Sequence, residues 1–353
     1  MAYEATYDKA LVGCIAEGTR TVDYKGMPLE LRPIPETDAT DELDPRVLQE
    51  TLKKLAGTVP NIPMNDVVSM RHRALKETHP LTSGEVAHRV EMMRLAGRWV
   101  PLHVWTPEGH EAGSPVLLFF HGGAFAFGDY GAYENALAYV AELSGALVAY
   151  PEYRLAPECP FPAGLLDCAE TVDWVAAHAG ELGVDSKRIA VAGDSAGGSL
   201  ACGVVQLQAP RHPVSLCVTV YGCADMGPEP AEWGYDLYPM RPDQEAAAKN
   251  RIDRTRGLDA TYTAGDLDRL ADPLISPARC GDLGCFPRMV IVSSAYDYLR
   301  YQDEEFALRL FRAGGDVRCV RYLGCDHGFF ERSGVMPQAE DLCRVIAEEV
   351  GRI

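Results

Sequence analysis

The chain has 353 residues, a formal net charge of −18 and an apolar fraction of 47%. That length suits one large α/β domain with insertions, and that composition supports a sizeable core. The acidity argues against phosphate backbones or anionic membrane surfaces as partners, and it mildly favours neutral over anionic substrates.

The first residues, MAYEATYDKALVGCIAEG, carry acids early and no basic stretch before a long apolar run, so no secretory leader is expected. No segment reaches the ~18 consecutive apolar residues of a membrane-spanning helix. Eleven cysteines are scattered along the chain, several (Cys202, Cys217, Cys319) inside apolar runs. Buried thiols in a reducing, cytoplasmic setting fit that pattern. Cys280 and Cys285 are the closest pair, but no second Cys/His pair accompanies them, so no metal site is expected.

Residues 1–80 read as irregular helices lying over something else. Asp44 caps a helix that Pro45 opens and that runs to Ala56, while Pro33, Pro35, Pro60 and Pro63 break the rest. From Gly84 to Trp105 two β-like segments flank Gly97, suggesting an outer pair of strands. The pattern then turns regular. Val116–Phe120 is a short apolar strand, followed by a helix over Ala132–Ser144. Ala146–Tyr150 is the next strand, with a helix over Gly164–Ala179. Ile189–Ala192 is a third, leading through a Gly-rich turn into a helix over Gly198–Gln208. Val214–Tyr221, Met289–Ser293 and Val317–Tyr322 are further strands, with helices over Asp303–Ala313 and Gln338–Ile353. Strands that alternate with helices, and are apolar on both faces, predict a mostly parallel sheet covered by helices on both sides. One stretch interrupts the alternation. Between Tyr221 and Met289 no strand is evident, only a helix-like Gln244–Arg256 and the aromatics Trp233, Tyr235 and Tyr238. A long insertion of this kind in a compact domain is usually functional.

The turn after Ile189–Ala192 reads Gly193-Asp194-Ser195-Ala196-Gly197. G-x-S-x-G between a strand and a helix places a serine on a sharp turn with its hydroxyl exposed at the sheet's end. A serine is a weak nucleophile until a base takes its proton. In such sites the partners follow in the order serine, acid, histidine. His327, after the last strand, is therefore the base. Asp297, just beyond Met289–Ser293, is the acid that fixes the imidazole's tautomer. Asp303 and Glu304 read as first-turn residues that stabilise a helix N-terminus, and Asp326 is badly placed to bond the neighbouring ring. His121-Gly122-Gly123-Ala124-Phe125 follows the strand two before the serine's. Its backbone N–H groups at Gly122 and Gly123, with that of Ala196, are the expected oxyanion donors. His121 reads as a brace for that loop rather than as a base.

Together these residues make the sequence resemble the bacterial hormone-sensitive-lipase-like esterases, the family IV carboxylesterases of the α/β-hydrolase fold. The matching motifs are HGGAF at 121–125, YRLAPE at 153–158 with FPA at 161–163, GDSAGG at 193–198 and DHGF at 326–329. The resemblance implies a Ser195-Asp297-His327 triad, no cofactor and no metal, small-molecule esters of short to medium acyl chains, and often a homodimer. It also implies a helical cap. Residues 1–80 are then an N-terminal cap region, 224–272 a cap insertion, and 81–223 with 273–353 the catalytic core. Two departures stand out: Ala124 replaces the usual third glycine, and Asp297-Tyr298-Leu299 replaces D-P-L. Phe125, Phe127, Tyr221, Trp233, Tyr235, Tyr238 and Phe329 are candidates for the pocket wall, although the three in the insertion serve equally well as cap packing. The rival readings are an amide hydrolase or deacetylase with the same triad, a ligand-binding module on the same fold, and thiol chemistry through Cys223 or Cys325. The filled triad argues against the module. Neither cysteine sits on an elbow or has an evident base.

Overall fold

The computed structural model describes residues 3–58, 62, 66–73, 76–211, 214–227, 234–255 and 260–353. Ten strands form one sheet: β1 (Arg20–Tyr24), β2 (Met27–Arg32), β3 (Val86–Leu95), β4 (Arg98–Pro107), β5 (Ser114–Phe120), β6 (Leu147–Pro151), β7 (Val184–Asp194), β8 (Leu216–Val220), β9 (Arg288–Tyr296) and β10 (Val317–Asp326). Their spatial order is β1-β2-β10-β9-β8-β7-β5-β6-β4-β3. The seven strands from β2 to β6 run parallel, and β1, β4 and β3 are antiparallel to their neighbours. The central strands β5, β6 and β8 are buried almost throughout, as a sheet covered on both faces requires.

The helices are α1 (Ala10–Glu17), α2 (Pro45–Leu55), α3 (Val67–Arg71), α4 (Glu134–Ser144), α5 (Ala163–Ala177), α6 (Ala179–Leu182), α7 (Ala196–Gln208), α8 (Glu245–Asp253), α9 (Arg300–Arg312) and α10 (Pro337–Val350). α10 packs on α4 and α1, and α5 packs on α7. The expected α2 is present as read: the Asp44 carboxylate accepts from Arg46 N and Pro45 opens the first turn. α2 lies against α8 of the insertion.

Residues 20–32 correct the reading of the N-terminal region as irregular helices. They form the β1–β2 hairpin, and β2 extends the main sheet by pairing in parallel with β10 at Leu29↔Cys319 and Leu31↔Arg321. Met27, Leu29 and Leu31 point into the core while Pro28 stands exposed between them. The hairpin at Gly97 is as expected, with β3 and β4 paired in antiparallel. Its turn residues Ala96 and Gly97 both take positive φ, 42° and 87°, the geometry that matches a tight two-residue hairpin.

Candidate active site

Register brings the site together. Phe120 of β5 lies beside Gly193 of β7, Asp194 lies beside Val220 of β8, and Val220 lies beside Val292 of β9. The carboxyl ends of four parallel strands therefore meet where the chain turns into α7. Such ends are where open α/β sheets bind ligands. At the turn, Ser195 sits at φ 52°, ψ −122°, a strained conformation for a residue with a side chain. The close approach explains the glycine at 197: a Cβ there would lie 1.9 Å from the Phe120 carbonyl oxygen. Ser195 N–H is held by Val220 O at 2.8 Å.

From Ser195 a chain of hydrogen bonds runs inward. Its Oγ–H donates to His327 Nε2 at 2.9 Å, and His327 Nδ1–H donates to Asp297 Oδ2 at 2.6 Å. The other carboxylate oxygen of Asp297 accepts from Thr255 Oγ1 at 2.8 Å and from Leu299 N at 3.0 Å. Asp297 is fully buried and so held in one orientation by three donors. Tyr238 O–H donates to the Asp297 carbonyl at 3.1 Å. The Tyr221 ring lies 4.8 Å from that of His327. Cys223 adjoins Ser195, but burial pushes its thiol far up, and burial does the same to Cys325, so neither supplies a thiolate.

The loop after β5 differs from expectation at one donor. Gly122 N–H donates to Asp194 Oδ1 at 2.7 Å and is thereby committed. Among the described residues, the N–H groups of Gly123 and Ala196 have no partner. Asp194 is fully buried, and its Oδ2 accepts from Tyr133 and Tyr221 hydroxyls at 3.2 and 3.4 Å. Burial and then Glu331 push this carboxyl up to about 7, against the pull of the Gly122 bond. Gly123, at φ 115°, admits no side chain, because a Cβ would fall 1.8 Å from Phe127 O. Ala124 follows in the same left-handed region at φ 50°. The residue at the usual third glycine thus keeps a glycine-like backbone at a cost of about 1–2 kcal/mol.

His121 is a brace, as its position suggested. Its Nδ1–H donates to Gly122 O at 2.6 Å, Tyr153 O–H donates to His121 O at 2.7 Å, and its ring stacks on Tyr153 at 4.3 Å. Burial pushes the imidazole down from 6.5 to about 4. The unfolded chain therefore takes up this proton first, and stability falls as pH drops from 6.5 towards 4. By this shift the contribution lost is about 3 kcal/mol. Asp194, raised to about 7, titrates through the same window with the opposite sign, so the check is a difference: in urea unfolding between pH 6.5 and about 4, the stability of the native protein relative to His121→Gln should fall by about that amount, and a constant difference would refute the assignment.

Other sequence expectations are relocated. Asp303 lies in the first turn of α9, as read, but neither it nor Glu304 faces solvent. Glu304 is fully buried, accepting from Arg321 at 2.7 Å and from Ser293 Oγ at 2.8 Å. Asp303 is also buried, its Oδ2 has no partner among the described residues, and burial with nearby Asp297 pushes it well up. Of the pocket candidates, Phe127 lines the cavity beside Gly122 and Gly123. Phe125 stacks on Tyr262, centroid to centroid 3.8 Å. Tyr235 bonds Asp253 through its hydroxyl. Tyr221 and Tyr238 support His327 and Asp297 from beneath, and Phe329 is fully buried against Tyr221 and Tyr322. Trp233 lies outside the described residues. Sequence reasoning missed Thr255, Tyr133 and the Arg73–Lys76–Glu331 cluster, none of which carries a motif.

Comparison with known proteins agrees with this geometry. A family model for the alpha/beta hydrolase fold matches residues 117–331, which span Ser195, Asp297 and His327. The chain belongs to that family. Its resemblance is to the hormone-sensitive-lipase-like esterases within it. Carboxylesterase NlhH of Mycobacterium tuberculosis is 40% identical to this hydrolase over 246 residues, 69% of this chain and 75% of the relative. Esterase LipI of the same organism is 29% identical over 321 residues, 87% of this chain and 95% of the relative. Among solved structures, the hyperthermophilic esterase of Pyrobaculum calidifontis superposes with a TM-score of 0.69 at 26% identity, covering 88% of this hydrolase and 98% of the other chain.

Proposed function

We propose that this hydrolase is a serine carboxylesterase that splits small carboxylic esters of short to medium acyl chains through an acyl-enzyme on Ser195. The observation that carries the reading is the unbroken hydrogen-bonded chain Ser195–His327–Asp297 at 2.9 and 2.6 Å. His327 takes the serine proton as Ser195 attacks the ester carbonyl. Asp297 holds the imidazole in the productive tautomer and stabilises the imidazolium. The free N–H groups of Gly123 and Ala196 receive the oxyanion, while Gly122 positions the loop through Asp194. His327 then protonates the leaving alcohol, and water repeats the cycle on the acyl-enzyme. α2 and α8, packed together, act as the cap that residues 1–80 and 224–272 contribute. The eleven free cysteines support a reducing, cytoplasmic setting, and the net charge of −18 argues against nucleic-acid or membrane partners. The homodimer implied by the family resemblance is tested by sedimentation.

With p-nitrophenyl acetate the enzyme should release one equivalent of p-nitrophenol in a burst before steady turnover. The acyl group should be recovered on the peptide carrying Ser195. Turnover of neither the acetate nor the butyrate, with no acylated peptide, would remove the esterase reading and favour a ligand-binding module.

A further inference from the structure

The net charge of the molecule is −18, yet the cavity beside the oxyanion loop is built differently. A cavity of about 120 Å³ opens against Gly122 and Gly123. Gly122 is also packed on Ser195, since a Cβ on it would stand 3.0 Å from the serine Cβ. The opposite wall carries Arg71, Arg73 and Lys76, with Glu331 and Asp129 as the carboxylates.

These groups are not equally engaged. Arg71 is fully committed: it pairs with both oxygens of Glu158 and donates to the carbonyls of Ala126 and Ala156. Lys76 donates to Gly328 O at 2.8 Å, beside His327, and stands 3.2 Å from Glu331. Asp129 is exposed and caps a turn by accepting from Gly131 N. Arg73 is the exception. Its guanidinium lies over the Phe127 ring at 5.4 Å, and its nearest carboxylate, Glu331, is 3.8 Å away, beyond hydrogen-bond reach. Among the described residues none accepts a hydrogen bond from it. Glu331 meanwhile faces three cations, Lys76, Arg73 and Arg254. Asp326 also faces Lys76 and Arg254, but it is already shared with Arg251 and Arg332, so cations outnumber carboxylates here.

We propose that this cavity binds a carboxylate carried by the substrate, so that the preferred esters are short half-esters of dicarboxylic acids or esters of similar anionic character, gripped by Arg73 with Lys76 in support. The inference rests on the esterase reading and narrows it. A planar guanidinium with unfilled donors matches a carboxylate in a two-pronged geometry. Gly123, the proposed oxyanion donor, lines the cavity, which places the charge a few bonds from the scissile carbonyl. The carboxylates that would repel such a substrate are Glu331, which is engaged by its cations, the exposed Asp129, and Asp194 behind the oxyanion loop, whose two oxygens are occupied by the donors of Gly122, Tyr133 and Tyr221. The whole-chain acidity is thus a poor guide to the site, because screening confines each surface charge to roughly 10 Å of influence.

The test compares kcat/KM for mono-p-nitrophenyl succinate with that for p-nitrophenyl butyrate on one preparation, so that the ratio is independent of the fraction folded. The native ratio should fall about tenfold in Arg73→Gln, the loss expected of one charge-assisted pair, and further in Arg73→Glu. In the native enzyme alone, added sodium chloride should lower the ratio and leave butyrate turnover little changed. Butyrate turnover with a ratio that neither substitution nor salt alters by more than about twofold overturns the anionic preference and leaves the esterase reading standing. Turnover of neither ester overturns both.

Discussion

Ser195→Ala should lower kcat/KM for p-nitrophenyl butyrate by on the order of 10⁴-fold or more, with the folded protein intact. Among the described residues, Ser195 meets the geometric conditions of the proposed nucleophile. Its Oγ is the atom from which His327 Nε2 takes a proton at 2.9 Å, and the unengaged N–H groups of Gly123 and Ala196 flank the same turn. Removing Oγ leaves the base and the oxyanion donors in place, and what survives is their help to direct attack by water. The substitution is isosteric but for one atom and leaves the φ of 52° at the turn, so the melting temperature should barely move. Asp297→Asn should come close in effect, because Thr255 and Leu299 would still hold the side chain while an amide presents the wrong partner to His327 Nδ1. Residual activity above about one per cent in Ser195→Ala would mean another nucleophile. Cys223 is the neighbour at hand, but its buried thiol is held protonated. Alkylation of that thiol without loss of turnover would complete the case.

The sequence made this site legible because its parts are local. A strand, a turn with glycines at fixed offsets and a helix occupy consecutive residues, and the order serine, acid, histidine follows from the connectivity of the sheet. The β1–β2 hairpin was hidden for the opposite reason. Its residues RTVDYKGMPLELR scatter charges among the apolar positions and include Pro28, and pairing with β10, nearly three hundred residues on, gives Leu29 and Leu31 something to pack against. The bond between Gly122 N and Asp194 Oδ1 joins residues 72 apart, and nothing in the HGG pattern marks which glycine keeps its N–H free. The partner of Glu304 was hidden because an acid near a helix start reads as a residue that stabilises the helix N-terminus. Arg321 on the neighbouring β10 instead meets it inside the protein. Arg73 and Lys76 carry no motif at all, and only the fold brings them to the oxyanion loop.

Asp326→Asn should cost about 3–5 kcal/mol, the loss expected when one partner of a buried ion pair is removed. For a chain of this size that corresponds to a fall of roughly 4–7 °C in melting temperature. Asp326 ends β10, immediately before His327, and is 1% exposed. Arg251 of α8 donates to one carboxylate oxygen at 2.9 Å, and Arg332 donates to the other. Glu50 of α2 stands 3.5 Å from Arg251 and 3.1 Å from Arg332. The cluster therefore ties α2 and α8 to the strand that presents the base. An amide at 326 leaves two guanidiniums out of water with only the half-exposed Glu50 to balance them. The loosened strand end should also lower kcat by disturbing the 2.9 Å contact of His327 with Ser195. The pH dependence follows from the same charges. Burial alone would raise both carboxyls, but Arg332 and then Arg251 outweigh it, holding Asp326 below the usual carboxylate range and Glu50 down to about 2. Groups depressed in this way stabilise the fold above their ordinary value near 4 and lose that contribution as the pH falls through the folded value. Acid unfolding of the native protein should thus show a limb between about 4 and about 2 that Asp326→Asn reduces. If Asp326→Asn melts within about 2 °C of the native protein, the cluster is not what fastens the cap helices to β10.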